Sequence, residues 1–438
     1  MRFQTLAALR FGFGVPSGAP KNVEAMLDSL GGPDQSARDW PIEGLASVLP
    51  AVQAAQAEKA AAMGEDAAFA LAEMEDRACR STFVRAMTGD GFRERLVAFW
   101  ADHFTVTGRG AMDGMLPYAL VEDALRPNLT ANFEAMLMQV VLHPAILVYL
   151  DQPQSFGPTS RAGKRQGRGL NENLARELLE LHTLGVGADY AQADVRAMAE
   201  LLTGLTYDSR WGMRFDPRRA EPGAETVLGR AYGGDEMVPI RQVLRDLAAH
   251  PATARHICGK LAVHFVSDTP DPAMVDAMVA AWEASGGYLL RVYAAMLGHP
   301  AAWGQSLEKA RQPFDFVVTA LRALQVPPQA IFDLPDARMR KLILRPLAEM
   351  GQPWKAPRGP DGWLEPVSAW ITPAGLAARI DWAMRVPAAL GDVPDPVMLA
   401  ERALAEAAEP ALLTAIGRAE TVAEGVGLVL ASPAFNRR

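Results

Sequence analysis

The sequence has few cysteines. Only Cys79 and Cys258 occur among its 438 residues. Two thiols are too few for a framework of disulfides, so the small disulfide-stapled folds are excluded. The cysteine content fits a reducing compartment or a chain that does not depend on bridges, and stability must come from a buried core.

The sequence also lacks a strong excess of charge of either sign. It has 43 basic and 51 acidic residues, for a net charge of −8. This balance gives no electrostatic reason to expect a nucleic acid partner or an anionic membrane surface. Since 50% of the residues are hydrophobic and 21% are charged, an intrinsically disordered chain is excluded as well.

Long hydrophobic runs are missing too. The longest uncharged stretch, 135–150, is interrupted by His143-Pro144 and is shorter than a bilayer requires. Near the start, the apolar residues 6–9 are followed by Arg10, which leaves no hydrophobic region of signal-peptide length. We therefore expect no membrane span and a cytoplasmic protein.

Apolar residues recur at helical spacing almost everywhere, whereas alternating β-branched runs are rare. This pattern predicts an all-α fold. We expect a helical N-terminal lobe at 1–90, a central body at 91–306 and a C-terminal part at 307–438. One long helix is predicted across 52–87, with Gly64 as its main interruption.

Four similar tripeptides follow apolar helical stretches, and each is predicted to restart a helix. Proline suits the first helical turn, and the residue before it can cap that turn. The tripeptides are His-Pro-Ala at 143–145, 250–252 and 299–301, and Ser-Pro-Ala at 432–434.

The segment 170–208 has the densest polar patterning of the chain. Asn171 is suited to cap a helix that Gly185 would end after Leu184. One face of this helix is polar and presents Glu172, Asn173, Arg176, Glu177 and Glu180.

Two interpretations of this polar face are open. It is either a solvated ladder of ion pairs or a buried cluster that serves a reaction. In the second case Glu177 would be the general base, Glu180 and Asn173 would position the substrate, and Arg176 would hold an anionic group.

Two histidines face the interior of their predicted helices. His182 lies on the apolar face, where a hydrogen-bonded core histidine is commoner than a ligand. His103 shares an apolar stripe with Phe92, Phe99 and Trp100. If the two helices pack together, the histidines with Glu177 or Asp102 could relay protons or bind a divalent metal, although no metal motif such as HExxH is present.

The segment LNENLARELLELHTLGV at 170–186 resembles the hallmark of a bacterial family catalogued as domain of unknown function 1800. Further matching stretches cover essentially the whole chain: RFGFG at 10–14, Phe99-Trp100 with His103-Phe104, Phe215-Asp216-Pro217, Lys260-Leu261 and SPAF at 432–435. Many relatives carry His-Asp after the Phe-Asp-Pro motif, whereas this chain reads Arg218-Arg219-Ala220.

The resemblance implies a mostly helical bacterial protein, and it carries over no catalytic residue. Members are often encoded beside a second family that resembles alkaline phosphatases and sulfatases and commonly carries export signals. The resemblance therefore implies a protein partner of that kind, and with it co-export or a periplasmic role as an alternative to the cytoplasm.

A basic loop precedes the 171–184 helix. It is a candidate site for a phosphate, a sulfate or an acidic partner loop, and the alternative is a mobile solvated loop. Its cations are Arg161, Lys164, Arg165 and Arg168, and Asn171 follows directly at the helix start.

A second long loop, 351–373, carries Trp354, Trp363 and Trp370 among several prolines. The rings either pin the loop onto the helical body or form a stacking platform for a sugar or an apolar partner. Trp354 and Trp363 are the candidate binding residues.

Two functions are therefore expected. The first is a binding or assembly protein that works with the phosphatase-like companion through the two loops. The alternative is a hydrolase with Glu177, Glu180, His103 and His182 as catalytic residues. The residues suggest no cofactor, and a divalent metal is disfavoured.

Overall fold

The computed structural model describes residues 1–61, 66–108, 110, 113–210, 212–234 and 236–438. The predicted interruption at Gly64 lies outside these ranges. Helices dominate the fold, which confirms the helical prediction. The first ones are α1 (Phe3–Leu6), α2 (Val23–Gly31), α3 (Gln35–Asp39), α4 (Leu45–Ala61), α5 (Asp66–Thr88) and α6 (Gly91–His103).

The middle of the chain continues with short and medium helices. They are α7 (Leu116–Leu120), α8 (Phe133–Val141), α9 (Pro144–Tyr149), α10 (Arg161–Gln166), α11 (Asn173–Glu177), α12 (Gln192–Leu202), α13 (Val238–Ala249), α14 (Pro251–Phe265), α15 (Pro272–Ser285) and α16 (Leu289–Gly298).

The last part of the chain is helical as well. It contains α17 (Pro313–Ala323), α18 (Pro328–Phe332), α19 (Asp336–Met339), α20 (Arg345–Glu349), α21 (Val367–Trp370), α22 (Pro373–Leu390), α23 (Pro396–Leu404), α24 (Pro410–Ile416) and α25 (Val422–Ala431). No described helix is both long and apolar enough to cross a membrane.

Several helices are extended by tighter or wider turns. The π-helical segments are Ala7–Phe11, Val121–Leu125, Leu178–His182 and Arg340–Leu344, and the 3₁₀ segments are Arg126–Asn128, Gln152–Gln154, Pro300–Trp303 and Ala405–Ala407. Two small antiparallel hairpins complete the fold: β1 (Leu205–Asp208) pairs with β2 (Gly212–Phe215), and β3 (Glu225–Val227) pairs with β4 (Arg230–Tyr232).

Three of the four proline tripeptides restart a helix, as predicted. Nδ1 of His143, His250 and His299 accepts the backbone N–H two residues later, at 3.1, 3.2 and 3.3 Å. The prediction is wrong at Ser432. There the chain makes a turn, because it leaves α25 to pair Arg437 with Ala310, and Ser432 Oγ accepts the N–H of Phe435 at 3.2 Å.

Two apolar cores hold the helices together. The first joins residues 7–30 mainly to residues 92–302, and the second joins residues 48–87 mainly to residues 316–435. Residues 1–90 thus contribute to both cores. The predicted boundaries at 90 and 306 stay a prediction.

Helix α6 runs between the two cores. Asp90 caps its start by accepting the N–H groups of Phe92 and Arg93 at 3.0 and 3.4 Å. Its buried Arg95 pairs with Asp315 of α17 at 2.8 Å, which ties the two cores together. The C-terminal turn of α6 carries Asp102 and His103.

Candidate active site

The hallmark helix of 170–186 consists of α11 and the π-helical segment Leu178–His182. The helix begins at Asn173 with Glu172 at the N-cap position, one residue later than predicted, and Asn171 Oδ1 accepts the N–H of Asn173 at 2.9 Å just before it. Its Nδ2 donates to the carbonyl of Asp151 at 3.2 Å, so the Asn171 side chain holds the backbone. The helix ends at His182, two residues earlier than predicted, and Gly185 lies in the following turn with φ of 95°.

The early end has a local cause. A π turn leaves the last carbonyls of the helix without their usual N–H donors. The Thr183 hydroxyl donates to the carbonyl of Leu178 at 2.6 Å, and the Gly185 N–H donates to Leu179 at 3.3 Å. The helix therefore closes at Thr183, before Leu184 is reached.

Two histidines from other helices contact two further carbonyls at this helix end. His103 Nε2 lies 3.3 Å from the carbonyl of His182, and His256 Nε2 lies 3.0 Å from that of Leu181. A carbonyl oxygen only accepts, so both Nε2 atoms carry a proton and both Nδ1 atoms are acceptors.

The polar face of the hallmark helix forms the predicted ladder. Arg176 pairs with Glu172 at 3.3 Å and with Glu180 at 3.2 Å, and its side chain is 39% exposed. Gln192 of α12 joins the ladder by accepting from Arg176 at 3.1 Å. Asn173 is exposed. The geometry is that of a solvated ladder.

Glu177 is partly buried, as Glu172, Arg176 and Glu180 are, but it is not part of the ladder of ion pairs. Burial raises its pKa, and the charges of Glu180 and Asp361 add to the rise. Glu177 thus lies within electrostatic reach of the 351–373 loop. Neither Glu177 nor Glu180 lines the cavity described below.

His103 and His182 both lie in the interior, as the helical spacing predicts, and the structure also packs them together. Their ring centroids are 5.9 Å apart, and each residue is about 1% exposed. Burial lowers the pKa of both, that of His182 to about 3, and the charge of Lys260 lowers both further. Both rings are neutral. Within the described ranges no three histidine, cysteine or carboxylate side chains are grouped so that they could hold a metal ion.

His103 opens onto a cavity of about 390 Å³, which we call the acid–base cavity. It lies where α6, α14 and the 351–373 loop meet. Its polar lining residues are Asp102, His103, Arg255, His256, Lys260, Asp361, Trp363 and Glu365.

Asp102 is the carboxyl group of this cavity whose pKa is raised toward neutrality. Burial is the main cause that raises its pKa to about 7, and the negative charges of Glu365 and Asp361 act in the same direction. The hydrogen bond from the backbone of Trp363 and the positive charge of Lys260 act to lower it. The Trp363 N–H donates to Oδ1 at 2.8 Å. This close approach depends on Gly362, whose φ is 78° and where a Cβ atom would lie 2.6 Å from the same oxygen.

The neighbouring groups are held in other protonation states. Burial lowers the pKa of Lys260, whereas the negative charges of Asp102, Glu365 and Asp361 act to raise it. Although burial alone would raise it, the pKa of Glu365 lies below its usual range, because His264 at 2.6 Å and Lys309 at 3.0 Å stabilise the anion. The cavity therefore pairs an ionised carboxylate with a carboxyl group that titrates near neutrality.

Sequence reasoning missed most of this cavity. The sequence patterns indicate Asp102 only as a possible partner of the histidines. They assign no role to Lys260, Asp361 or Glu365. The turn signal Pro360-Asp361-Gly362 was the one local sign that a polar group comes close to another element there.

The predicted basic loop lies on the surface, but it is not a loop throughout, because Arg161–Gln166 form α10 with Ser160 as the cap. Arg161, Lys164, Arg165 and Arg168 are exposed and line none of the cavities described here. The loop meets a second basic segment at 214–219, because the N–H of Ala162 donates to the carbonyl of Arg218 at 2.8 Å.

The tryptophans of the 351–373 loop fall into two groups. Trp354 is pinned, since its indole N–H donates to the hydroxyl of Tyr118 at 2.9 Å and its ring lies 4.9 Å from that of Phe83. Trp370 is buried. Trp363 is partly buried and lines the acid–base cavity.

Comparison with curated proteins gives no match, and neither does comparison with solved structures. A family model described as protein of unknown function (DUF1800) matches residues 7–437, and the chain therefore belongs to that family.

Proposed function

We propose that the protein is an acid–base enzyme, most simply a hydrolase, with Asp102 as its proton-transferring residue. The observation that carries the proposal is a carboxyl group with a pKa of about 7 that borders a cavity. A group with this pKa changes protonation state at neutral pH with little driving force in either direction, as a general acid or base requires.

The other residues of the cavity fit this chemistry. The Trp363 N–H fixes Oδ1 of Asp102, so Oδ2 is the oxygen proposed to take a proton from water. Lys260 makes no ion pair among the described residues, and its ammonium group is proposed to stabilise negative charge on the oxygen of the attacked group. Nδ1 of the neutral His103 is buried and has no partner among the described residues, and it is proposed to accept a hydrogen bond from the bound substrate.

The test is a screen of the purified protein against chromogenic carboxylic, phosphate and sulfate esters and glycosides. We expect turnover of one class, with a pH profile that bends near the pKa of Asp102. Asp102→Asn is expected to lower kcat/KM by about 10² to 10⁴, the usual contribution of a general acid or base.

Two further variants make the screen specific. Glu177→Gln tests the base that the sequence suggests. We expect it to change the rate far less than Asp102→Asn, because Glu177 does not line the cavity. Asp381→Asn on the surface of α22 is the control. Equal rates for the wild type and Asp102→Asn would refute the proposal.

A second candidate function is the binding of a phosphatase- or sulfatase-like partner, as the family resemblance suggests. One observation favours it: two basic segments far apart in the sequence form one surface. Burial lowers the pKa of Arg219, whereas the negative charge of Asp216 acts to raise it. The positive charges of Arg214, Arg168 and Arg218 lower it further, so these arginines lie near one another. We define the basic surface by Arg161, Lys164, Arg165, Arg168, Arg214, Arg218 and Arg219.

Co-purification with the product of a neighbouring phosphatase-like gene tests this candidate. We expect Arg161→Glu with Arg165→Glu to abolish co-purification. The matched control is Arg345→Glu with Arg385→Glu, at exposed arginines of α20 and α22. Equal loss in both double variants would point to general charge effects and contradict a specific surface.

A further inference from the structure

A second cavity, of about 170 Å³, lies on the other side of the wall that Asp102 and Trp363 form. We call it the lysine cavity. Aromatic side chains supply much of its lining: Phe13, Phe104, Tyr118, Phe314 and Trp354. A cavity of roughly 150 Å³ with such walls accommodates a benzene-sized ligand.

The cations at this cavity are not equivalent. Three arginines that line it are neutralised by carboxylates: Arg85 pairs with Glu122, Arg95 with Asp315 and Arg126 with Glu94. Lys355 has no ion pair among the described residues, and its Nζ lies 4.1 Å from the centre of the Tyr118 ring. Among these four cations, the amine of Lys355 is therefore the one that no carboxylate of the described residues neutralises.

The backbone holds Lys355 in an unfavourable conformation. Its φ is 46°, in the left-handed region that long side chains rarely adopt. The preceding Trp354 fixes this geometry by its hydrogen bond to Tyr118 and its contact with Phe83. Asparagine or glycine would fit this conformation better, so the lysine is retained at some cost in stability.

The environment also makes the amine more nucleophilic. Burial lowers the pKa of Lys355 to about 8, against the influence of Cys79, Glu122 and Glu75. A lysine with such a pKa is deprotonated to a useful extent at neutral pH, as lysines that attack carbonyl groups are.

We propose that Lys355 captures a small apolar aldehyde or ketone in the lysine cavity as a Schiff base. Nζ forms a bond to the carbonyl carbon, and the carbonyl oxygen leaves as water with two protons from the nitrogen. Starting from the ammonium form, the product is a protonated imine, so charge and protons balance. The protonated imine keeps the positive charge that Nζ of Lys355 places over the Tyr118 ring.

A carboxylate ligand is the nearest alternative, and the surroundings of Lys355 disfavour it. Glu75 and Glu122 lie within electrostatic reach of the amine. Glu122 is already paired with Arg85, but Glu75 has no ion pair among the described residues, so a bound carboxylate would add an anion beside it, whereas a neutral carbonyl compound adds none.

The test uses benzaldehyde as the probe, with cyanoborohydride to reduce the imine and peptide mapping to locate it. The chain has seven lysines, so every competing amine can be followed. We expect saturable labelling of Lys355 above all others, including Lys260, whose pKa is also lowered but which lines the other cavity. Benzoate should not compete with the probe.

Two variants complete the test. Lys355→Arg should remove this adduct and leave the labelling of the other lysines unchanged. Lys355→Asn should melt at the same temperature as the wild type or higher, since asparagine tolerates positive φ. Labelling of Lys355 no faster than that of exposed Lys21, competition by benzoate, or a marked loss of stability in Lys355→Asn would each overturn the proposal.

Discussion

Asp102 and Glu365 border the same cavity, and the fold shifts the pKa of each in the opposite direction. Glu365 contacts two basic side chains, whereas Asp102 accepts one backbone N–H and has carboxylates as neighbours. Burial acts on both, so the difference comes from their partners. Divergent carboxyl groups of this kind are common at acid–base sites, which supports the proposed role of Asp102.

The raised pKa of Asp102 makes a prediction about stability. The folded protein keeps this proton at pH values where the unfolded chain has lost it, so stability falls as the pH rises through about 7. Asp102→Asn removes this penalty. Its melting temperature relative to the wild type should therefore be higher at about pH 8.5 than at about pH 5.5.

The comparison needs a control variant that also replaces one aspartate by asparagine. Asp381→Asn removes an exposed carboxylate from α22. An offset for Asp102→Asn that is independent of pH, or that follows the offset of Asp381→Asn, would contradict a raised pKa.

The buried histidines make the opposite prediction. Because the pKa of His103 and that of His182 are lowered, the unfolded chain binds protons below about pH 6.5 that the folded state does not bind. These residues lower stability as the pH falls. Nitrogen NMR of the rings should show no titration between about pH 5 and 8 in the folded protein, and a midpoint in that range would be inconsistent with their burial.

Sequence reasoning succeeds at these residues where the information is local. The 3.6-residue period placed His103 and His182 on interior faces, and the ladder of Glu172, Arg176 and Glu180 followed from i, i+4 spacing. The contact between Asp102 and Trp363 joins residues 261 positions apart. No local pattern encodes such a contact, so the centre of the candidate site was missed.

At the scale of elements, the end of the hallmark helix is the most constrained feature. A π turn, a threonine hydroxyl, a glycine N–H and two histidines share its last carbonyls. The predicted stop was two residues late because periodicity alone does not distinguish a π turn from an α turn. The hallmark residues Thr183 and Gly185 are thus explained by how the helix ends.

Gly185 and Gly187 provide a matched pair for this element. Both have positive φ, 95° and 80°, but a Cβ atom at Gly185 would lie 2.9 Å from His256 Nδ1, whereas nothing lies within 4 Å at Gly187. Each alanine substitution should cost about 1 kcal/mol for its backbone conformation. We expect Gly185→Ala to cost about 1 to 3 kcal/mol more, because overpacking disturbs His256.

Chemical denaturation of the two variants measures this difference. Equal losses of stability would show that His256 yields without penalty. In that case it would not be a fixed part of the helix end.

At the scale of the whole molecule, residues 1–90 are divided between two cores. The helical composition was predictable because it depends on local periodicity. The pairing of residues 48–87 with residues 316–435 was not, because it depends on which distant apolar faces fit together.

This division predicts that residues 1–90 do not fold alone. Both of their apolar faces would lose their partners, and the apolar area that remains is small for a stable domain. A fragment of 1–90 should show no cooperative thermal transition by circular dichroism. A cooperative transition would support an independent N-terminal lobe and contradict the shared cores.

The central claim is that Asp102 titrates near neutrality beside the acid–base cavity. Its pKa can be measured directly by carbon-13 NMR of labelled aspartate carboxyl groups, with the resonance assigned by its loss in Asp102→Asn. The account predicts a midpoint of about 7. A midpoint near the ordinary aspartate value of 3.8 would contradict it.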